Sequence, residues 1–102
     1  MEDLENKKRN EIINLYDLYN NLLTEKQKMY FEDYYMDLSL SEIATNYHIS
    51  RNAIFDQLKK TVDVLYYYEE NLHLLEKFDK LMKITDDKNI IDKIEDIIWS
   101  DE

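Results

Sequence analysis

No glycine and no proline occurs anywhere in the 102 residues. Sheet proteins need one or the other at most of their turns, and phosphate-cradling loops need glycine so that the backbone can reach the ligand. The chain must instead fold from elements that stop on Asn, Asp, Ser, Thr or His. An all-α fold follows. Dinucleotide and P-loop sites are excluded, and zero cysteine excludes disulfide frameworks and Cys-ligated zinc.

Local hydrogen-bonding signals place the helices. Ile12, Tyr16, Tyr19 and Leu23 recur at helical spacing and predict a first helix from about Lys8 to Leu22. Thr24-Glu25-Lys26-Gln27 is a capping box that opens a second helix, running to about Met36. A second box, Ser39-Leu40-Ser41-Glu42, opens a two-turn helix from Leu40 to Tyr47 with Ile43, Ala44 and Tyr47 inward. His48-Ile49 form a break, with Ile49 expected to plug the turn, and Ser50 caps a fourth helix from Arg51.

Nothing in the sequence stops that fourth helix before about Leu81. Leu58, Leu65 and Leu72 are spaced by seven, and Thr61, Tyr68, Leu75 and Met82 form a second series of seven offset by three. The two make an a/d seam, which predicts either a homodimer or packing against the last helix. Asp86-Asp87 read as the cap of that last helix, which carries Ile90, Ile91, Ile94, Ile97 and Ile98 on one broad face and is anchored by Trp99. The expected organisation is one helical domain over 1–102, with a helix-turn-helix at about 38–60 and a long helix plus C-terminal helical hairpin at about 61–99.

The segment from Leu38 to Leu58 is the most informative. A capped short helix, a three-residue turn, a small Ala44 at the crossing and a second capped helix form the helix-turn-helix pattern. The second helix of such a pair presents its N-terminal residues to base edges. Arg51 suits guanine and Asn52 suits adenine, with Phe55, Asp56 and Lys59 completing the outer face and Lys60 nearby for phosphate. The nucleic-acid-binding set is thus Arg51, Asn52, Phe55, Lys59 and Lys60.

Charge sets the terms of that reading. Thirteen basic and 23 acidic residues give a net charge of -10, which repels nucleic acid at long range. The acidity is uneven: residues 24–60 carry net -1 and residues 61–102 net -7, while 51–60 carry net +2. Binding to DNA should therefore be weak and steeply salt-dependent unless dimerisation doubles the contacts.

Thr24-x-x-Gln27, Glu42-Ile43-Ala44 and Ile49-Ser50-Arg51 resemble the helix-turn-helix of sigma-factor region four. A longer set resembles the bacterial YlxM family: Leu22 to Gln27, Tyr34-Tyr35, Leu38 to Ala44, Ile49 to Ala53, Lys59-Lys60-Thr61 and Tyr68 to Leu72. The similarity spans about residues 10–78. The stretch Tyr34–Leu38 is one acidic residue shorter than the family's usual form, and Ser41 stands where glycine is expected. Both departures precede the reading helix. The resemblance implies small DNA-binding proteins whose genes lie beside that of the signal recognition particle GTPase. The implied roles are transcription regulation or a part in the signal recognition particle pathway, with the particle's protein or RNA as further partners. A second functional reading follows from the acidic C-terminal part, a module that docks a basic protein of that pathway without reading DNA.

Other classes find little support. Met1 to Asn6 is acidic and lacks the apolar core of a secretory leader, and apolar runs are far short of the ~20 residues a membrane helix needs. A cytoplasmic protein with no membrane contact is expected. Ser39, Ser41 and Ser50 are helix starts, and no nucleophile–base arrangement points to an enzyme. His48 and His73 are too isolated for a metal site, so neither metal nor cofactor is expected. Most of the nine tyrosines fall at core positions. Tyr66-Tyr67-Tyr68 cannot all face inward, because three successive residues span about 300° of a helix if its outer edges are included, so one should be exposed.

Overall fold

Helix starts in this chain are written in side-chain hydrogen bonds. The computed structural model describes the backbone of residues 2–100 and the side chains of 8–100. The acidic side chains before Asn6 and the last two residues lie outside the described residues. The elements are α1 (Glu2–Tyr19), a 3-10 turn (Asn20–Leu22), α2 (Glu25–Tyr35), α3 (Leu40–Tyr47), α4 (Arg51–Leu72), α5 (Leu74–Met82) and α6 (Lys88–Ile98). Helix α1 begins six residues before the expected Lys8.

Both capping boxes form. The Gln27 amide donates to Thr24 Oγ1 at 3.2 Å while the Thr24 amide donates to Gln27 Oε1 at 2.9 Å. Ser39 and Glu42 repeat the exchange, at 3.1 Å each way. Each box satisfies two amides that a helix start leaves orphaned. Asp87 caps α6 by accepting from the Asn89 amide at 2.9 Å.

Helix ends show how a chain without glycine turns. Asp37, His48 and His73 all take positive φ, at 74°, 57° and 56°. After α2, the Leu38 amide donates to Asp33 O and the Asp37 amide to Tyr34 O. After α3, the Ile49 amide donates to Ala44 O and the His48 amide to Thr45 O. Both are Schellman closures, with Asp or His at the left-handed position that glycine usually fills.

Two apolar clusters hold the helices together. Tyr30, Ile43, Ala44, Ile54 and Leu58 form the core beneath the α3–α4 pair. Leu15, Tyr16, Tyr19, Leu23, Phe31, Leu65 and Leu75 form the other, between α1, α2, α4 and α5. Helix α4 spans both, with Thr61 buried between them and its hydroxyl satisfied by Gln57 O at 2.8 Å. Tyrosines then tie helix to helix through carboxylates. Tyr16 donates to Glu32, Tyr47 to Asp33 at 2.8 Å, and Tyr66 to Glu11 at 3.1 Å.

Three expectations need correction. The long helix ends at Leu72, not Leu81, because His73 turns left-handed and the chain restarts as α5. The Glu69 carboxylate reaches past that break to accept from the amides of Leu75 and Glu76, at 3.0 and 3.1 Å, capping α5 from the preceding helix. The seven-residue seam is consequently interrupted. Leu58 and Leu65 are spent inside the chain against α1, α2 and α3, Leu72 is exposed, and neither a free seam nor packing on α6 results. Ile49 does not plug its turn, being 37% exposed.

The tyrosine triplet divides as its geometry requires. Tyr66 and Tyr68 are half-buried, and Tyr67 is exposed. Trp99 packs edge-on against Phe78 at 5.4 Å between centroids, tying the end of α6 to α5.

Candidate nucleic-acid interface

The site grows from the Ser50 cap. Its hydroxyl accepts from the Ala53 amide at 3.1 Å, so α4 starts at Arg51 with a free face. Ile54 and Leu58 face the core, which fixes the rotation of the helix. At 100° per residue, Arg51, Asn52, Phe55, Asp56, Lys59 and Lys60 then fall on the opposite half. All six are exposed. Phe55, at 50% exposed, is a large apolar group held open on a polar face, the kind of exposure that a binding surface explains.

Sequence reasoning placed Arg51, Asn52, Phe55, Lys59 and Lys60 together, and the structure sets them along one exposed strip of α4. Among the described residues, none of the three cations in that strip forms an ion pair. The first turns of α2 and α3 hold Glu25 and Glu42, whereas the first turn of α4 holds no acid. The positive end of the α4 dipole is thus not neutralised locally, and Arg51 adds to it. Asp56 is the one anion on the N-terminal part of the strip.

The turn that aims α4 is rigid for a specific reason. His48 closes α3 in the left-handed conformation, and Tyr47 is held by its hydrogen bond to Asp33 and by edge-on contact with Tyr30 at 5.0 Å between centroids. Ala44 keeps α3 and α4 close. Helices α2, α3 and α4 therefore present Arg51 and Asn52 from a packed scaffold.

Sequence reasoning passed over the outward side of α3. Ser41, Glu42, Thr45 and Asn46 line a shallow depression there, on the first helix of the pair. The available signal was the polar residues between the inward positions Ile43, Ala44 and Tyr47. Among the described residues, no group of three His, Asp or Glu side chains is arranged to hold a metal ion, and no helix is long and apolar enough to cross a membrane.

Comparison with known proteins agrees with this architecture. The model of the UPF0122 family, described as YlxM/p13-like helix-turn-helix proteins, matches residues 6–99. A UPF0122 protein of Mycoplasma mycoides is 41% identical over 98 residues, covering 87% of each chain. One from Bacillus licheniformis is 51% identical over 71 residues, covering 69% of this chain and 66% of its own. One from Lactococcus lactis subsp. cremoris is 41% identical over 108 residues, covering 97% of each.

Proposed function

The chain belongs to the YlxM/p13-like helix-turn-helix family, and from that premise we propose that it is a regulatory protein that binds duplex DNA through the exposed strip of α4. The carrying observation is the start of α4: Ser50 caps the helix, and Arg51 and Asn52 stand exposed beside it with no acid in the first turn. Arg51 reads guanine through its paired donors and Asn52 reads adenine. Phe55 meets a thymine methyl, and Lys59 and Lys60 lie toward phosphate. No catalysis is needed for this role.

The net charge of -10 keeps non-specific affinity low, so base contacts carry an unusual share of the binding. Binding of genomic fragments at low and moderate salt tests the reading. The Arg51→Ala variant should lose about 1–3 kcal/mol and relax preference at one base. Unchanged binding in that variant places the site elsewhere. Absence of binding to any fragment at low salt overturns the reading itself.

A second reading rests on the net -7 of residues 61–102. Asp63, Glu70, Asp79, Asp92, Glu95 and Asp96 make no ion pair among the described residues. Such a surface suits a basic protein of the signal recognition particle pathway. Retention of the purified particle on the immobilised chain at physiological salt supports this reading, and no retention removes it.

A further inference from the structure

Helix α6 is apolar over an arc of roughly 120°, through Ile90, Ile91, Ile94, Ile97 and Ile98, yet none of its residues is buried. One edge of the arc, Ile91, Ile94 and Ile98, is half-buried. The other edge is open, with Ile97 at 78% exposed and Ile90 also exposed. Helix α5 repeats the pattern. Leu75 is buried and Phe78 half-buried, while Leu74 and Leu81 are exposed. Leu74, Leu81 and Ile97 border one groove of about 300 Å³, with Phe78 and Ile98 in its walls and Lys77 on its rim.

We propose that this groove is an interface with a second copy of the chain. The patch carries both parts of a contact: a groove, and beside it Ile97 as an apolar projection. A two-fold rotation sets Ile97 of each copy into the groove of the other, so one patch closes the interface. Charge fits the same operation. Lys77 and Lys83 near the end of α5, and Asp92, Glu95 and Asp96 on α6, form no ion pairs among the described residues. The rotation brings the lysines of one copy toward the carboxylates of the other. Residues 74–99 hold seven acids and five lysines, so two copies meet here with far less repulsion than the whole-chain charge implies. The proposal stands independently of DNA binding, since mass alone reads it.

Sedimentation of the full chain over about 5 to 500 µM, the range where a small apolar interface associates, is the test. The expected result is a reversible dimer. Ile97→Asp buries an unpaired carboxylate in the contact and should raise the dimer Kd about a hundredfold. Met36→Asp, at a residue equally exposed but on the junction of α2 and α3, should leave it unchanged. Because Ile97 is largely solvated, its variant should keep the wild-type circular dichroism. A monomer at the highest concentration overturns the proposal. So does a dimer that Ile97→Asp leaves intact, or one that Met36→Asp weakens equally.

Discussion

The Tyr19 hydroxyl donates to the Glu69 carboxylate at 2.7 Å and accepts from the Leu74 amide at 3.3 Å. One contact between α1 and α4 thereby governs where α4 ends. Glu69 serves α5 as an N-cap residue usually serves its own helix, and His73, at the actual cap position, provides no side-chain cap. Glu69→Ala should lower stability by about 2 kcal/mol, through the lost cap and an unsatisfied Tyr19 hydroxyl. Tyr19→Phe should cost about 1 kcal/mol. The two losses should not add, because they share one network. Urea unfolding of both singles and the double variant checks this, and additive losses would refute a shared network.

Alkaline pH should expose the tyrosine–carboxylate ties. Burial, then the bond to Glu69, raises the Tyr19 phenol from its ordinary 10.0 to about 12. Burial and Glu11 raise Tyr66 to about 12. Tyr16 is raised by burial and Glu32, and Tyr47 chiefly by its bond to Asp33. The folded chain holds these protons more tightly than the unfolded chain. Their contribution to stability is therefore fully present below pH ~10 and lost as pH rises toward ~12. Denaturant midpoints across that window should fall steeply, and Tyr66→Phe should flatten the slope. A flat profile in the wild type would contradict the burial of these hydroxyls.

The helix starts were legible in sequence because capping is local: Thr24 with Gln27, Ser39 with Glu42 and Ser50 with Ala53 each lie within four residues. The exposed strip of α4 was legible for a related reason, since Ile54 and Leu58 fix its rotation. The break at His73 was not. It contains no glycine or proline, and the groups that stabilise it come from Glu69, one turn earlier, and Tyr19, 54 residues away. The exposed edge of α6 was hidden likewise, because periodicity reports an apolar face without reporting what covers it.

His48 offers a test of how the turn before α4 is held. Its left-handed backbone costs an ordinary L-residue about 1–2 kcal/mol, and His tolerates the conformation better than most. His48→Gly should raise stability by about 0.5–1 kcal/mol, part of the relief being offset by glycine's freedom in the unfolded chain. His48→Val should lower it by more than about 1 kcal/mol, since a β-branched residue fits that region poorly. Opposite shifts in thermal midpoint are the expected signature. Equal midpoints for both would mean that the left-handed turn at His48 does not exist in solution.

Asp56 and Lys60 should separate charge from readout on the proposed DNA-binding strip. Both are exposed, and Asp56 is the anion nearest the uncapped positive end of α4. Lys60→Ala removes one phosphate contact, so affinity should fall by a similar factor on every fragment, and the salt slope should drop by about 1. Asp56→Asn removes a repulsive charge without changing shape, so it should raise affinity for all fragments, most at low salt. Asn52→Ala should behave differently from both, costing about 1–3 kcal/mol on fragments with the preferred base and little on others. Titrations of one preferred and one scrambled fragment at several salt concentrations distinguish the three patterns. If Asn52→Ala weakens both fragments equally, Asn52 positions the helix on the backbone and does not read a base.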